Sequence, residues 1–229
     1  MSRNQLFFLI ISLLLFSKVI AQTEKDSVAI AIDLRWKTEK LELNKSYTST
    51  NDTLQLSLVK FYISNVAIEY NNGLFYKEKN SFHLIDIENE KSLQFLIPKN
   101  NNSISKVIFN IGIDSITSVS GAMSGDLDVT NAMYWAWQSG YINMKIEGKS
   151  SSCKTRKNAF QFHIGGYLKP NYALRNVNIN CNNNNEILLQ VDLAKLFDEI
   201  QLSETNSIMI PGKEAMKIAD LSTKMFSEE

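Results

Sequence analysis

Leu54-Gln55-Leu56-Ser57-Leu58-Val59-Lys60-Phe61, followed almost at once by Ile63-Ser64-Asn65-Val66-Ala67-Ile68-Glu69-Tyr70, decides the fold class. Apolar residues alternate or cluster along both segments, and β-branched and aromatic side chains are frequent, as in strands that bury at least one face. Asn71-Asn72-Gly73-Leu74 comes next. Its Asn-Gly pair accepts positive φ at both central positions of a type I′ hairpin turn, so a returning strand is expected over residues 74–77. Residues 28–36, 82–87, 93–97, 107–113, 141–147, 160–164, 173–179 and 187–193 read the same way. Strands this numerous, separated by Asn, Gly and Ser clusters, imply an all-β domain, a β-sandwich or Greek-key barrel.

Two segments depart from the pattern. Residues 121–139 lack alternation and are expected to form a long loop with a helical turn over residues 131–138. Long irregular connections in compact domains are functional or disordered, and Trp135 and Trp137, two of the three tryptophans, argue against disorder here. After Pro211 and Gly212, Ala215, Ile218, Ala219, Leu221, Met225 and Phe226 recur with helical spacing. A C-terminal amphipathic helix capping an open end of the β core is expected. Residues 182–185 make a polar loop tip.

The amino terminus sets the compartment. Arg3 precedes an apolar run that ends in Val19-Ile20-Ala21, the small-residue pattern of a signal-peptidase site, so residues 1–21 read as a signal peptide and residues 22–229 as one domain. The protein is expected in the periplasm, at the cell surface or secreted. No later stretch approaches the roughly 20 apolar residues of a membrane-spanning helix. Losing Arg3 and Lys18 from 24 basic residues, against 24 acidic ones, leaves the mature chain slightly acidic, which offers nothing to nucleic acid or an anionic membrane. A monomer is expected. Cys153 and Cys181 are the only cysteines, and export favours a disulfide between them, worth roughly 3–4 kcal/mol if unstrained. Thiolate ligation of copper is the alternative.

Most enzymatic signatures are absent: no nucleophile elbow, phosphate-cradling glycine loop, dinucleotide fingerprint, HExxH helix or CxxC pair. The chain reads as a protein that is not itself an enzyme. Asp86, Glu88, Asp126 and Asp128 could furnish an acid/base pair, or Asp114, Asp126 and Asp128 a hard-cation site, but no spacing matches a calcium loop and solvated turn formers are the simpler reading. The histidines carry more information. His83 and His163 are the only two, and each lies in an apolar strand run, Phe82-His83-Leu84-Ile85 and Phe160-Gln161-Phe162-His163-Ile164. An imidazole there is either a hydrogen-bonded core residue or a ligand. A converging pair of neutral imidazoles suits copper better than hard cations, and falls short of the four protein ligands of structural zinc.

Phe61-Tyr62-Ile63-Ser64-Asn65, His83-Leu84-Ile85-Asp86, Gly112-Ile113-Asp114, Gly125-Asp126-Leu127-Asp128, residues 133–141 (Met-Tyr-Trp-Ala-Trp-Gln-Ser-Gly-Tyr), Lys145-Ile146-Glu147-Gly148 and Phe162-His163-Ile164-Gly165-Gly166 follow one another as in the MbnP copper-binding family, which the whole mature chain resembles. The resemblance implies an extracytoplasmic protein holding one copper ion, as Cu(I), through His83, His163 and a kynurenine made from Trp135 or Trp137. It also implies a dihaem MbnH-type oxidase as the partner that makes the kynurenine. Cys153 and Cys181 are not part of the resemblance. A metal-free β-sandwich interaction or adhesion module, with both histidines in the core, is the alternative.

Overall fold

The computed structural model describes residues 27–181 and 186–228; the expected signal peptide, residues 1–21, and the expected loop tip, residues 182–185, lie outside them. The strands in chain order are β1 (Ser27–Trp36), β2 (Glu39–Lys40), β3 (Ser46–Thr48), β4 (Thr53–Tyr70), β5 (Phe75–Lys77), β6 (Phe82–Asp86), β7 (Gln94–Pro98), β8 (Ile104–Ile111), β9 (Tyr134–Trp135), β10 (Gly140–Ser150), β11 (Ala159–Gly165), β12 (Arg175–Asn180), β13 (Glu186–Asp192), β14 (Ser207–Ile208) and β15 (Phe226–Glu228). They form an all-β sandwich of two curled sheets. One runs β15-β13-β1-β2, with β7 also paired to β1; the other runs β12-β8-β4-β10-β11-β14, with β3, β5 and β6 on β4 and β9 on β10.

The alternation in β1 translates directly into packing: Val28, Ile30, Ile32, Leu34 and Trp36 are buried, and the intervening residues are only partly so. β4 organises the larger sheet. Residues 60–61 pair with both β10 and β6, and residues 63–64 with both β6 and β8. A strand has two edges, so β10 and β8 follow one another along one edge while β6 lies on the other. The inner face of this sheet, with Phe61, Ile63, Met144, Ile146, Phe162 and Ile164, meets β1 and β13 in the main core. Its outer face is also apolar in part. Tyr62, Leu84, Trp135, Tyr141 and Ile142 gather there with Ile113, Leu127 and Met133 in a second cluster, which the segment preceding β10 covers.

Several expectations are refined. The two segments within residues 54–70 are one strand, bent by a bulge between Ser64 and Ala67 where Asn65 adopts φ +52°. Asparagine tolerates that left-handed conformation through local hydrogen bonding. The Asn71–Gly73 hairpin exists, but of its residues only Gly73 has positive φ, and Gly73 N–H donates to Tyr70 O at 2.9 Å. It is therefore a three-residue loop, a type I turn closed by a left-handed glycine, instead of type I′. Residues 131–138 hold no α-helical turn. Short 3₁₀ turns at Gly125–Leu127 and Val129–Asn131 lead into β9, whose Trp135 pairs with Gly140 in a hairpin. The amphipathic helix is present as Lys213–Ser222, burying Ala215, Ile218 and Ala219. Among the described residues no helix is long and apolar enough to cross a membrane.

The expected disulfide is not formed: Cys153 and Cys181 are both free and buried. Topology explains this. Cys153 follows Ser150, which pairs with Leu54 at the start of β4. Cys181 follows Asn180, which pairs with Lys106, itself opposite Glu69 at the far end of β4. At about 3.3 Å per residue the two thiols stand near opposite ends of that strand, far beyond the roughly 7 Å Cα separation a bridge tolerates. Burial raises both thiol pKa values, that of Cys181 to about 12, so neither is a ready thiolate ligand.

Candidate metal centre

β11 carries His163 between Phe162 and Ile164, both of which face the main core. Side chains alternate along a strand, so His163 faces outward. It stands directly opposite Lys145 of β10. Glu147, two residues further along β10 on the same face, is its diagonal neighbour, and His163 Nε2 lies 2.7 Å from Glu147 Oε1. A carboxylate only accepts, so Nε2 of the neutral ring donates and Nδ1 keeps the lone pair. His163 is 7% exposed. Burial lowers its pKa, with Glu147 pulling upward and Lys145 pushing downward. At neutral pH the ring is a neutral imidazole with one nitrogen available to a metal.

Trp135 lies on the same outer face. A Cβ on Gly165, two residues beyond His163, would fall 2.7 Å from Trp135 Cζ3 and 2.8 Å from Tyr141 O. The six-membered ring of the indole therefore rests on the bare backbone of Gly165, a seat that any larger residue would fill. Trp135 is 7% exposed, while Trp137 is 63% exposed. Their ring centroids are 5.6 Å apart. Tyr167 braces the hairpin, its ring over Gly140 and its hydroxyl donating to Gln138 O at 3.2 Å.

His83 also has a carboxylate partner, but elsewhere. Its Nε2 lies 2.8 Å from Glu78 Oε2, and its ring stacks on Phe95 of β7 at 3.7 Å between centroids and 10° between planes. Burial raises the Glu78 pKa, but hydrogen bonds from His83 and Ser81 outweigh it and hold the carboxyl below its ordinary value. Register fixes the faces. His163 lies in one cross-strand row with Lys145, Lys60 and Asp86, whereas His83 pairs with Ile63. Lys60 and Ile63 are an odd number of residues apart, so the imidazoles belong to opposite faces of the sheet. The strand order β11-β10-β4-β6 also separates them by three spacings of about 4.8 Å. The structure seats Trp135 on Gly165, two residues along β11 from His163, with Trp137 beside Trp135, and does not bring His83 to them.

The carboxylates serve local structure. Asp114 Oδ1 caps the helix Ser115–Val119, Asp126 Oδ2 accepts from Leu84 N, Asp128 accepts from both Thr130 N and Thr130 Oγ1, and Asp86 pairs with Lys60 at 2.9 Å. Glu88 is an exposed turn residue. Among the described residues no three His, Cys, Asp or Glu side chains gather as a metal site. Sequence reasoning missed Glu147, Glu78 and Gly165. Only cross-strand register reveals Glu147 as a partner of His163, although both sit in quoted motifs.

With that geometry in hand, a family model described as MbnP matches residues 25–210. The chain belongs to the MbnP family. The match spans β1 to β14 and includes His83, Trp135, Trp137 and His163; the helix Lys213–Ser222 and β15 lie beyond it. Among solved structures, MbnP from Methylosinus trichosporium superposes with a TM-score of 0.63 and 13% identity, covering 81% of this chain and 82% of that one. At that identity the likeness establishes the MbnP fold alone. No curated protein sequence matches the chain.

Proposed function

We propose that this protein is an extracytoplasmic copper-binding protein of copper acquisition or handling, inert as a catalyst by itself, whose ion sits between His163 and a kynurenine formed from Trp135. The observation that supports it is the seating of Trp135 on Gly165 beside an imidazole already oriented by Glu147. Metal-binding histidines characteristically donate their second ring N–H to such a carboxylate. An intact indole cannot complete the site, because its nitrogen lone pair belongs to the aromatic system and it offers only a donor. Ring opening changes that. Tryptophan plus dioxygen and water gives kynurenine plus formate, leaving an aromatic amine and a ketone with lone pairs to present. The family assigns this oxidation to a dihaem MbnH-type partner. Imidazole and amine nitrogens suit Cu(I) with few ligands.

His83 carries the same Nε2–carboxylate pairing but stands on the other face of the sheet. Sharing one ion with His163 requires a different register of β6, since a one-residue slip exchanges the faces of a strand, and an approach across the intervening strands as well. Copper titration of the mature chain, produced with its partner oxidase, tests both parts. One equivalent of tightly held copper is expected, lost in His163→Ala. Loss in His83→Ala as well would make the site a two-imidazole one in the loaded protein, and retention would confine it to the outer face. Tandem mass spectrometry should place an increase of about 4 Da on Trp135. Wild-type protein that carries the modification yet takes up no copper would leave the metal-free interaction module as the surviving reading.

A further inference from the structure

The outer-face cluster is a connected set of aromatic rings with one end in solvent. Trp137 is exposed, Trp135 is buried 5.6 Å from it between centroids, and Trp135 packs in the same cluster as Tyr141 and Tyr62. Tyr141 in turn meets Tyr134 at 5.1 Å and Tyr62 at 6.0 Å. An oxidant too large to enter the cluster can touch Trp137 but not Trp135. Electron exchange between aromatic rings falls steeply with distance and is rapid near ring contact. We propose that Trp137 is the electron relay through which an outer-sphere oxidant at the surface oxidises the buried Trp135.

The step balances as two one-electron transfers. The oxidant, a high-potential one-electron acceptor such as an oxidised haem or a ruthenium(III) tris-bipyridine complex, gains an electron and leaves Trp137 as a radical cation. Trp135 then reduces Trp137 and becomes the radical cation itself. Its N–H proton passes to water, leaving a neutral indolyl radical. Apolar surroundings disfavour the charged radical and so favour that deprotonated product at Trp135. The buried ring is thus the hole's resting place and the exposed ring its port. This inference rests on the proposal above for its biological meaning, but the electron transfer itself involves no copper and is read separately.

The experiment uses the full mature chain, copper-free, with photogenerated ruthenium(III) tris-bipyridine as the oxidant in air-saturated buffer, and maps oxygenated residues by tandem mass spectrometry. Wild type is expected to accumulate oxidation at Trp135. Trp137→Phe, which removes the relay but keeps a ring at an exposed position, should lower Trp135 oxidation at least tenfold, and Trp137→Tyr, which restores a redox-active ring, should recover most of it. Near-ultraviolet circular dichroism of each variant reports whether the Trp135 seat survives. Unchanged Trp135 oxidation in a folded Trp137→Phe variant overturns the relay, as does wild-type oxidation confined to Trp137 or collected on Tyr141. Failure of copper uptake with an intact relay would count against the copper proposal alone.

Discussion

His163–Glu147 and His83–Glu78 are the same chemical device built twice on one sheet, and their surroundings differ in every other respect. Both imidazoles direct Nε2 to a glutamate. The His83 pair lies on the inner face, where Phe95 covers one side of the ring. The His163 pair lies on the outer face beside the Lys145 ammonium, and the next outward position of its strand, Gly165, is a bare backbone that seats an indole. A carboxylate–histidine pair therefore does not by itself define a metal centre. What it can bind depends on what the strand's other positions bring to the same face, and on β11 that is the gap at Gly165.

Removing each imidazole in turn is the sharpest way to separate the two pairs. His163→Ala is expected to weaken copper binding by more than about 100-fold, since losing only the outer-shell partner of a ligand costs about 10–100-fold. His83→Ala should leave affinity within a few-fold if the outer-face arrangement holds. Competition with a chromophoric Cu(I) chelator measures both. Equal losses would erase the distinction and require the imidazoles to share the ion. A smaller effect is expected from the orienting carboxylates: Glu147→Gln should weaken copper by about 10–100-fold, and Glu78→Gln should not.

Gly165→Ala addresses what the outer face has and the inner one lacks. The added methyl would meet Trp135 Cζ3 at 2.7 Å and the backbone carbonyl oxygen of Tyr141 at 2.8 Å. Backbone cannot retreat as a flexible side chain can, so an overpacking penalty of about 1–3 kcal/mol is expected. Trp135 should move off its seat, visible as a red-shifted or more quenchable component of tryptophan fluorescence. A variant as stable as wild type with unchanged emission would mean that the indole is not held where the copper proposal needs it.

Much of the fold could be read in the sequence. The alternation of Val28, Ile30, Ile32, Leu34 and Trp36 gave both the strand and its buried face, and the spacing of Ala215, Ile218 and Ala219 gave the terminal helix. Short or long-range features could not be read. β9 pairs only Tyr134 and Trp135, too few residues for alternation to register. The failed cysteine pairing depended on which end of β4 each thiol reaches, a property of β8, β10 and β12 together. The site was half legible for the same reason. Motifs picked out His83, His163 and the tryptophans, but the face of each depends on register, and a shift of one residue exchanges inside and outside. Glu147 sits 16 positions from His163 and becomes its partner only once Lys145 is placed opposite it.

The smallest expected difference between the pairs is in how the copper-free protein loses stability on acidification. Burial disfavours the imidazolium form of His163, so its folded pKa lies below the ordinary value of 6.5. Between those two values the unfolded chain binds a proton that the folded chain does not, and stability rises with rising pH wherever that holds. The contribution of His163 is thus fully present above pH 6.5 and is lost as pH falls through its folded pKa. Glu78 follows the same rule lower down: its folded pKa lies below 4.5, so the stability it adds is present above pH 4.5 and is lost as pH falls further. Urea unfolding across this range should show a first decline beginning near pH 6.5 that His163→Ala removes, and a second below pH 4.5 that Glu78→Gln removes. If the upper decline persisted in His163→Ala, the imidazole would not be the group that charges, and the neutral, ligand-ready state assigned to it at physiological pH would lose its support.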